Sequence, residues 1–340
     1  MNKTWISFLI LTTLGFTSQG QTFIQNTMYD LNRFVYNPAA AGLNEQGRST
    51  DWNLGLLGRL QWAGIDGSPR LINLQIHRSL GIGGIGAYLM RDEIGPLSST
   101  SVQGSYAYHM DLNGGNGILG FGLSAGISQR SLNMTVLSVV PEPLLNLQAN
   151  GTNFSVSTVT PTLALGIFYH GIDTVSGYEK YFFGISGQDL LEPSISDLLV
   201  NPSQSGSNVP RSFYATAGYR FEMDTWTSAS YNYIQPSIMA RFQGTVFQSD
   251  ISLTAKYSRL YAGLNYRGLA FAGSNSESVG AMLGFDVEER VLSFYYSYDY
   301  NLTGLNINGD ASSHEIMLVY RFGGGSDKEG KGKDGNVIKD

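Results

Sequence analysis

Leu119-Gly120-Phe121-Gly122-Leu123-Ser124-Ala125-Gly126-Ile127 carries an apolar side chain at every odd position and Gly or Ser at every even one. A two-residue period sends these two sets to opposite faces of one β-strand. The apolar face suits lipid, and the small face suits a crowded or wet interior. The same alternation recurs along the chain and sets the fold class.

Fourteen segments fit such strands: 52–62, 70–79, 82–92, 98–111, 116–130, 159–170, 179–189, 211–221, 226–242, 248–257, 260–268, 278–287, 291–302 and 312–322. One face is apolar and often aromatic near the ends, as in Phe213-x-Ala215-x-Ala217-x-Tyr219 and Ile316-x-Leu318-x-Tyr320-x-Phe322. Aromatic residues at strand ends suit the interfacial girdles of a membrane barrel. The charges fall in the other register: Arg59, His77, His109, His170, Arg220, Lys256, Arg267, Asp286, Asp299, Glu315 and Arg321. An Arg facing lipid at mid-depth costs roughly 2–4 kcal/mol, which inward placement avoids. In the ninth segment Pro236 cannot donate to a ladder, so a bulge and a change of register are expected there.

Composition agrees. Only 14% of the 340 residues are charged, while Gly (42), Tyr (20) and Phe (17) are abundant. No apolar run beyond the N-terminus is long enough for a spanning helix. The prediction is an all-β fold, a transmembrane antiparallel β-barrel of 14 strands, in preference to a soluble sandwich with more outward charge. A net charge of -6 argues against nucleic-acid binding. With no Cys, a disulfide framework and a thiolate metal site are ruled out. No cofactor is expected.

Lys3, the apolar stretch 5–16 and Ser18-Gln19-Gly20 read as a secretory signal over residues 1–20. Export plus a barrel implies a bacterial outer membrane. Residues 21–51 then precede the barrel at 52–322, and the Gly- and Lys-rich stretch 323–340 reads as a flexible periplasmic tail. Connections after odd-numbered strands run longer than those after even-numbered ones, which predicts external loops, periplasmic turns and both termini in the periplasm. Two external loops, 131–158 and 190–210, are apolar, with Leu137, Val140, Leu144, Leu191 and Leu198 as candidate contacts for a lid or a partner.

Two enzyme-like strings are set aside. Gly81, Gly83 and Gly86 match G-x-G-x-x-G, but a hairpin turn precedes them and a strand follows, where a dinucleotide site needs a helix. Gly122-x-Ser124-x-Gly126 matches G-x-S-x-G, but it lies inside a strand rather than on a strand-to-helix elbow. His109 and Asp111 share one face and read as a luminal hydrogen-bonded pair. The chain is therefore expected not to be an enzyme.

The stretch after the signal holds the most specific strings: Asn37-Pro38-Ala39-Ala40-Ala41-Gly42, followed by Arg59-Leu60-Gln61-Trp62-Ala63-Gly64. With His314-Glu315-Ile316 and Tyr320-Arg321-Phe322 at the end, the chain from about 21 to 322 resembles the PorP/SprF family of the Bacteroidota type IX secretion and gliding machinery. The resemblance implies a non-enzymatic outer-membrane component supporting export or surface attachment of specific, adhesin-like cargo. Its implied partners are a secreted cargo protein with a C-terminal secretion domain, other periplasmic or outer-membrane parts of the machinery, and membrane lipid. The alternative is a passive or substrate-selective porin or transporter.

Asn37-Pro38 restricts the chain locally, and Ala39 to Gly42 permits close backbone approach. Residues 21–50 are expected to form a luminal plug or a periplasmic docking element. Asn37, Pro38, Ala39, Gly42, Arg59 and Trp62 are its candidate contacts, and Arg220, Arg267, Asp299, Glu315 and Arg321 are candidate luminal charges.

Overall fold

The computed structural model describes residues 25–112, 114, 116–135, 153–173, 175–195, 208–223, 231–244, 246–268, 277–288, 291–302 and 311–323. Fourteen antiparallel strands close into a barrel. They are β1 (Trp52–Leu60), β2 (Arg70–Ser79), β3 (Gly83–Ile94), β4 (Leu97–Leu112), β5 (Gly117–Thr135), β6 (Asn153–Ile172) and β7 (Glu179–Gln188), followed by β8 (Ser212–Tyr219, resuming at Phe221–Glu222), β9 (Tyr233–Gln243), β10 (Val246–Tyr257), β11 (Leu260–Gly268), β12 (Ser278–Glu288), β13 (Leu292–Asn301) and β14 (Ser313–Phe322). Each strand pairs with its sequence neighbour, and β14 closes on β1 through Phe322↔Trp52 to His314↔Leu60. Closure joins the first strand to the last, so neither end of the sheet presents an open edge, which lipid would otherwise penalise.

The alternation is oriented as expected. On β5, Phe121, Leu123 and Ile127 are exposed, while Gly120, Gly122 and Ser124 are buried. Of the charges expected inside, all are buried except Arg321, which is half-buried. Connections 80–82, 113–116, 173–178, 258–259 and 289–291 are short and define a short-turn end, which the longer connection 223–232 shares. Connections 61–69, 136–152, 189–211, 269–277 and 302–312 lie at the other end, where 95–96 and 244–245 are also tight turns.

Two expectations are corrected, and the interior holds a third feature that the alternation did not announce. First, strand pairing continues through Leu132↔Val156 to Thr135↔Asn153, so β5 and β6 extend into the loop expected at 131–158. The remainder, with Leu137, Val140 and Leu144, lies outside the described residues, as do Leu198, residues 226–230 of the ninth segment, the signal and the tail beyond Gly323. Second, β9 holds one register through Pro236, with neither bulge nor shift. The ladder to β8 instead lapses opposite Pro236 and Gln235 and resumes in step. Arg220 N–H turns to the Lys180 carbonyl of β7 and Met223 N–H to the Asn232 carbonyl. By that parity Tyr219 faces β9, and its carbonyl meets the ring nitrogen of Pro236, which has no proton to give. Third, the inward face is not uniformly polar. Leu57, Tyr88, Met90, Met239, Tyr261, Met282, Tyr295 and Met317 all point inward and are buried. Apolar groups bordering a water-filled lumen would be unfavourable. Here they are covered by a segment of the same chain.

That segment runs from Gln25 to Ser49 and lies inside the barrel. It holds a single helical turn, α1 (Arg33–Tyr36), a 3₁₀ turn at Pro38–Ala40, and a small hairpin pairing Leu43–Asn44 with Gly47–Arg48. Met28, Phe34, Val35 and Ala41 pack in one cluster with Leu57, Tyr88, Met90, Met282 and Met317. Its first described residues lie beside Asp299 and Glu315, toward the long-loop end, and it enters β1 at the short-turn end, where β14 also finishes.

Candidate functional site

Asn37-Pro38-Ala39-Ala40-Ala41-Gly42 sits on a floor of inward glycines. Asn37 Nδ2 donates to the Ile167 carbonyl at 2.9 Å and to the Ile185 carbonyl at 3.2 Å, joining β6 and β7. Its Oδ1 accepts from Ala39 N–H at 3.0 Å and so caps the 3₁₀ turn that Pro38 begins. A Cβ on Gly166 would stand 2.0 Å from Asn37 Oδ1, and one on Gly122 would stand 2.1 Å from Ala39 N. No side chain fits at either position, so the small inward face of β5 and β6 is the seat of this turn. His109 Nε2 donates to the Ala39 carbonyl at 3.3 Å, and Gly42 N–H donates to His77 Nδ1 at 3.0 Å. Gly42 has φ +79°, a left-handed turn that a side chain would strain.

Two ionic clusters hold the segment above and below this seat. Toward the long-loop end, Arg59 pairs with Asp299 at 2.8 Å and Glu315 at 2.9 Å. Glu315 accepts from Thr27 N–H at 2.9 Å and Met28 N–H at 3.0 Å, and Thr27 Oγ1 donates to Asp299 at 2.6 Å. Arg267 pairs with Asp250 at 2.8 Å, and Arg241 also pairs with Asp250. All six of these charged groups are buried. Buried ions are tolerated only when paired and hydrogen-bonded in this way.

Toward the short-turn end, Arg33 of the segment pairs with Glu179 at 2.7 Å and lies over the Phe182 ring at 3.6 Å. Glu179 also meets His170 at 2.6 Å and Arg220 at 3.4 Å. Glu45, at the tip of the hairpin, accepts from Tyr233 at 3.1 Å and faces Arg220 at 3.5 Å and Lys256 at 3.9 Å. Burial pushes the Glu45 carboxyl up, but Arg220, Lys256, Arg321 and the Tyr233 hydroxyl outweigh it and hold the group down to about 2. Between the clusters, Gln188 Nε2 donates to the Val35 and Tyr36 carbonyls at 2.7 and 3.1 Å, and Ser186 donates to the Tyr36 carbonyl at 2.6 Å.

Asn37, Pro38, Ala39, Gly42, Arg59, Arg220, Asp299 and Glu315 thus all bear on the segment. Arg267 acts at one remove, through Asp250 and Asp299. Arg321 lines a cavity of about 100 Å³ with Glu45 and Arg220 at the short-turn end. Trp62 does not join them. It lies in the 61–69 connection with φ 55°, its N–H donating to Ser313 Oγ at 3.3 Å. Leu191 is half exposed just past β7. The expected His109–Asp111 pair does not form, because Arg48 pairs with Asp111 at 2.8 Å and His109 turns to Ala39. Ser124 of the G-x-S-x-G string donates to Gln103 at 2.8 Å.

Sequence reasoning missed Thr27, Arg33, Glu45, Glu179, Arg241 and Asp250. Arg241 was readable as an inward position had β9 been carried in one register past Pro236, and Asp250 shares the inward register of Lys256 on β10. The others lie in, or meet, a segment without periodicity.

Comparison with known proteins gives a consistent picture. A family model described as Type IX secretion system membrane protein PorP/SprF matches residues 18–320. No curated protein matches the chain by sequence. Among solved structures, the toluene transporter TbuX of Ralstonia pickettii is similar in fold (TM-score 0.51, 12% identity, 85% of this chain and 92% of that one). So is a mutant of the TodX monoaromatic hydrocarbon channel (TM-score 0.50, 12% identity, 85% and 93%).

Proposed function

Since the chain belongs to the PorP/SprF family of type IX secretion membrane proteins, we propose that this outer-membrane barrel supports export or surface attachment of a small set of large, adhesin-like cargo proteins. In this reading it acts as a docking partner rather than as a conduit. The observation that carries it is the filled lumen. The segment Gln25–Ser49 occupies the barrel as a plug, held by the two ionic clusters and by the glycine seat. A polypeptide cannot pass while that segment is in place, so cargo and machinery meet the barrel at its mouths. The short-turn end faces the periplasm and the machinery, and the long-loop end faces outward. In this reading the barrel acts by binding rather than by catalysis; in support, the inward Ser124 donates to Gln103 and the G-x-G-x-x-G glycines belong to a hairpin.

Surface proteomics of a deletion strain tests this. One or a few surface proteins should disappear while other type IX cargo is still exported. Loss of all such cargo would make the protein a core translocon part, and no loss would refute the reading. The alternative, a passive or substrate-selective pore, requires the segment to leave the lumen, which conductance measurements separate from a closed barrel.

A further inference from the structure

At the long-loop mouth, on the side away from Arg59, a cavity of about 190 Å³ opens above the plug. Its floor is Tyr88, Met90 and Tyr214, and Tyr214 rests on Tyr36 of the segment at 5.3 Å between ring centroids. Its wall carries Gln103, Gln188, Gln243, Ser99, Ser101 and Ser212. Three charges face it: Asp92 from β3, Arg130 from β5 and Asp189 just past β7.

These charges do not balance. Arg130 reaches Asp189 only at 3.7 Å and is committed to Thr160 Oγ1 at 2.6 Å. The Asp92 side chain has neither an ion pair nor a hydrogen bond among the described residues. Burial pushes the Asp189 carboxyl up, and Arg130 only partly opposes this. Asp189 is also held at φ 53°, a conformation uncommon for a non-glycine residue. Among the described residues, one carboxylate therefore stands without a cation over an aromatic floor, beside neutral Gln and Ser side chains. The volume is well below the roughly 300–1,000 Å³ of small-molecule sites. It suits one side chain of a longer ligand.

From this geometry we infer that the recess is a socket for a single basic side chain, Lys or Arg, presented by a polypeptide docking on the long-loop mouth. The cation would pair with Asp92, its aliphatic stem would lie on Tyr88, Met90 and Tyr214, and its backbone would meet the Gln and Ser rim. The proposal rests on the cargo-docking reading above and names the chemistry that cargo presents.

Chromosomal Asp92→Arg, Asp92→Asn and Asp92→Glu strains are compared with the deletion strain. Surface protein is quantified, and folded barrel is checked by heat-modifiable mobility. The expected result is at least tenfold loss, in Asp92→Arg and Asp92→Asn, of the surface protein that the deletion removes, with Asp92→Glu within twofold of wild type. Wild-type display in Asp92→Arg, or equal loss in Asp92→Glu, would overturn the socket. If Asp92→Arg lowers the amount of folded barrel, Asp92→Asn decides alone. No loss of any surface protein in the deletion strain would refute the docking reading itself. Loss in the deletion with none in Asp92→Arg would refute only the socket.

Discussion

A Cβ on Gly122 would stand 2.1 Å from the backbone nitrogen of Ala39, so a glycine in the middle of β5 and an alanine in the luminal segment share one van der Waals contact. The obstacle is backbone, which cannot swing aside as a side-chain tip can. The alternation of the Leu119–Ile127 strand therefore has two separate causes: lipid on one side and the chain's own N-terminal segment on the other.

Gly122→Leu should expel the Asn37–Gly42 turn from its seat while leaving the strand intact, since lining a β-strand with Leu carries no backbone penalty. Overpacking of this kind costs about 1–3 kcal/mol. Protease cleavage within residues 25–49, slow in the wild type, is expected to become rapid in the variant, with the barrel still heat-modifiable.

Arg59→Ala leaves Asp299 and Glu315 buried without their shared partner. Breaking a buried ion pair from one side costs about 3–5 kcal/mol. Arg91→Ala, which removes an exposed pair with Glu93, should cost no more than about 1 kcal/mol. Reversible urea unfolding in lipid vesicles measures both, and equal effects would contradict the role given to the cluster.

The Glu45 carboxyl is held below its usual value of 4.5, at about 2. A depressed carboxylate contributes stability that is complete above its unfolded pKa and is lost as pH falls through the folded one. The hairpin at Leu43–Arg48 should therefore loosen between about pH 4.5 and 2, seen as faster amide exchange there. Glu45→Gln should exchange faster at neutral pH and lose the dependence in that window.

Pro236→Val supplies an N–H to the Tyr219 carbonyl, in a register that already runs straight through the site. One restored hydrogen bond is worth about 0.5–1.5 kcal/mol. The variant should be at least as stable as wild type in the same urea assay, and marked destabilisation would show that the lapse is needed for closure.

The strands were legible in the sequence because lipid enforces a strict outward register, as in Phe213 to Phe221 and Ile316 to Phe322. Pro236 misled because a missing donor was read as a bulge, whereas neighbouring ladders on β10 keep β9 in step. The inward apolar residues Leu57, Met239 and Met317 were not foreseen, since a barrel interior is expected to be polar until something apolar fills it. Residues 21–50 could be read as a candidate plug from Asn37-Pro38 and the small residues after it. Their partners could not, because Asn37 binds the backbone carbonyls of Ile167 and Ile185, which have no sequence signature. Arg33, Glu45, Glu179 and Arg220 meet because the luminal segment runs against the paired strands β7 and β8, a contact with no local signature in the sequence.

The central claim is a lumen closed by the chain's own N-terminal segment. Single-channel conductance in planar bilayers, comparing the full mature chain with a deletion of residues 22–45, tests it most directly. The account predicts no steady conductance for the full chain and a large, stable conductance for the deletion. A steady open channel in the full chain, or a deletion variant that folds and conducts no more than the full chain, would contradict it.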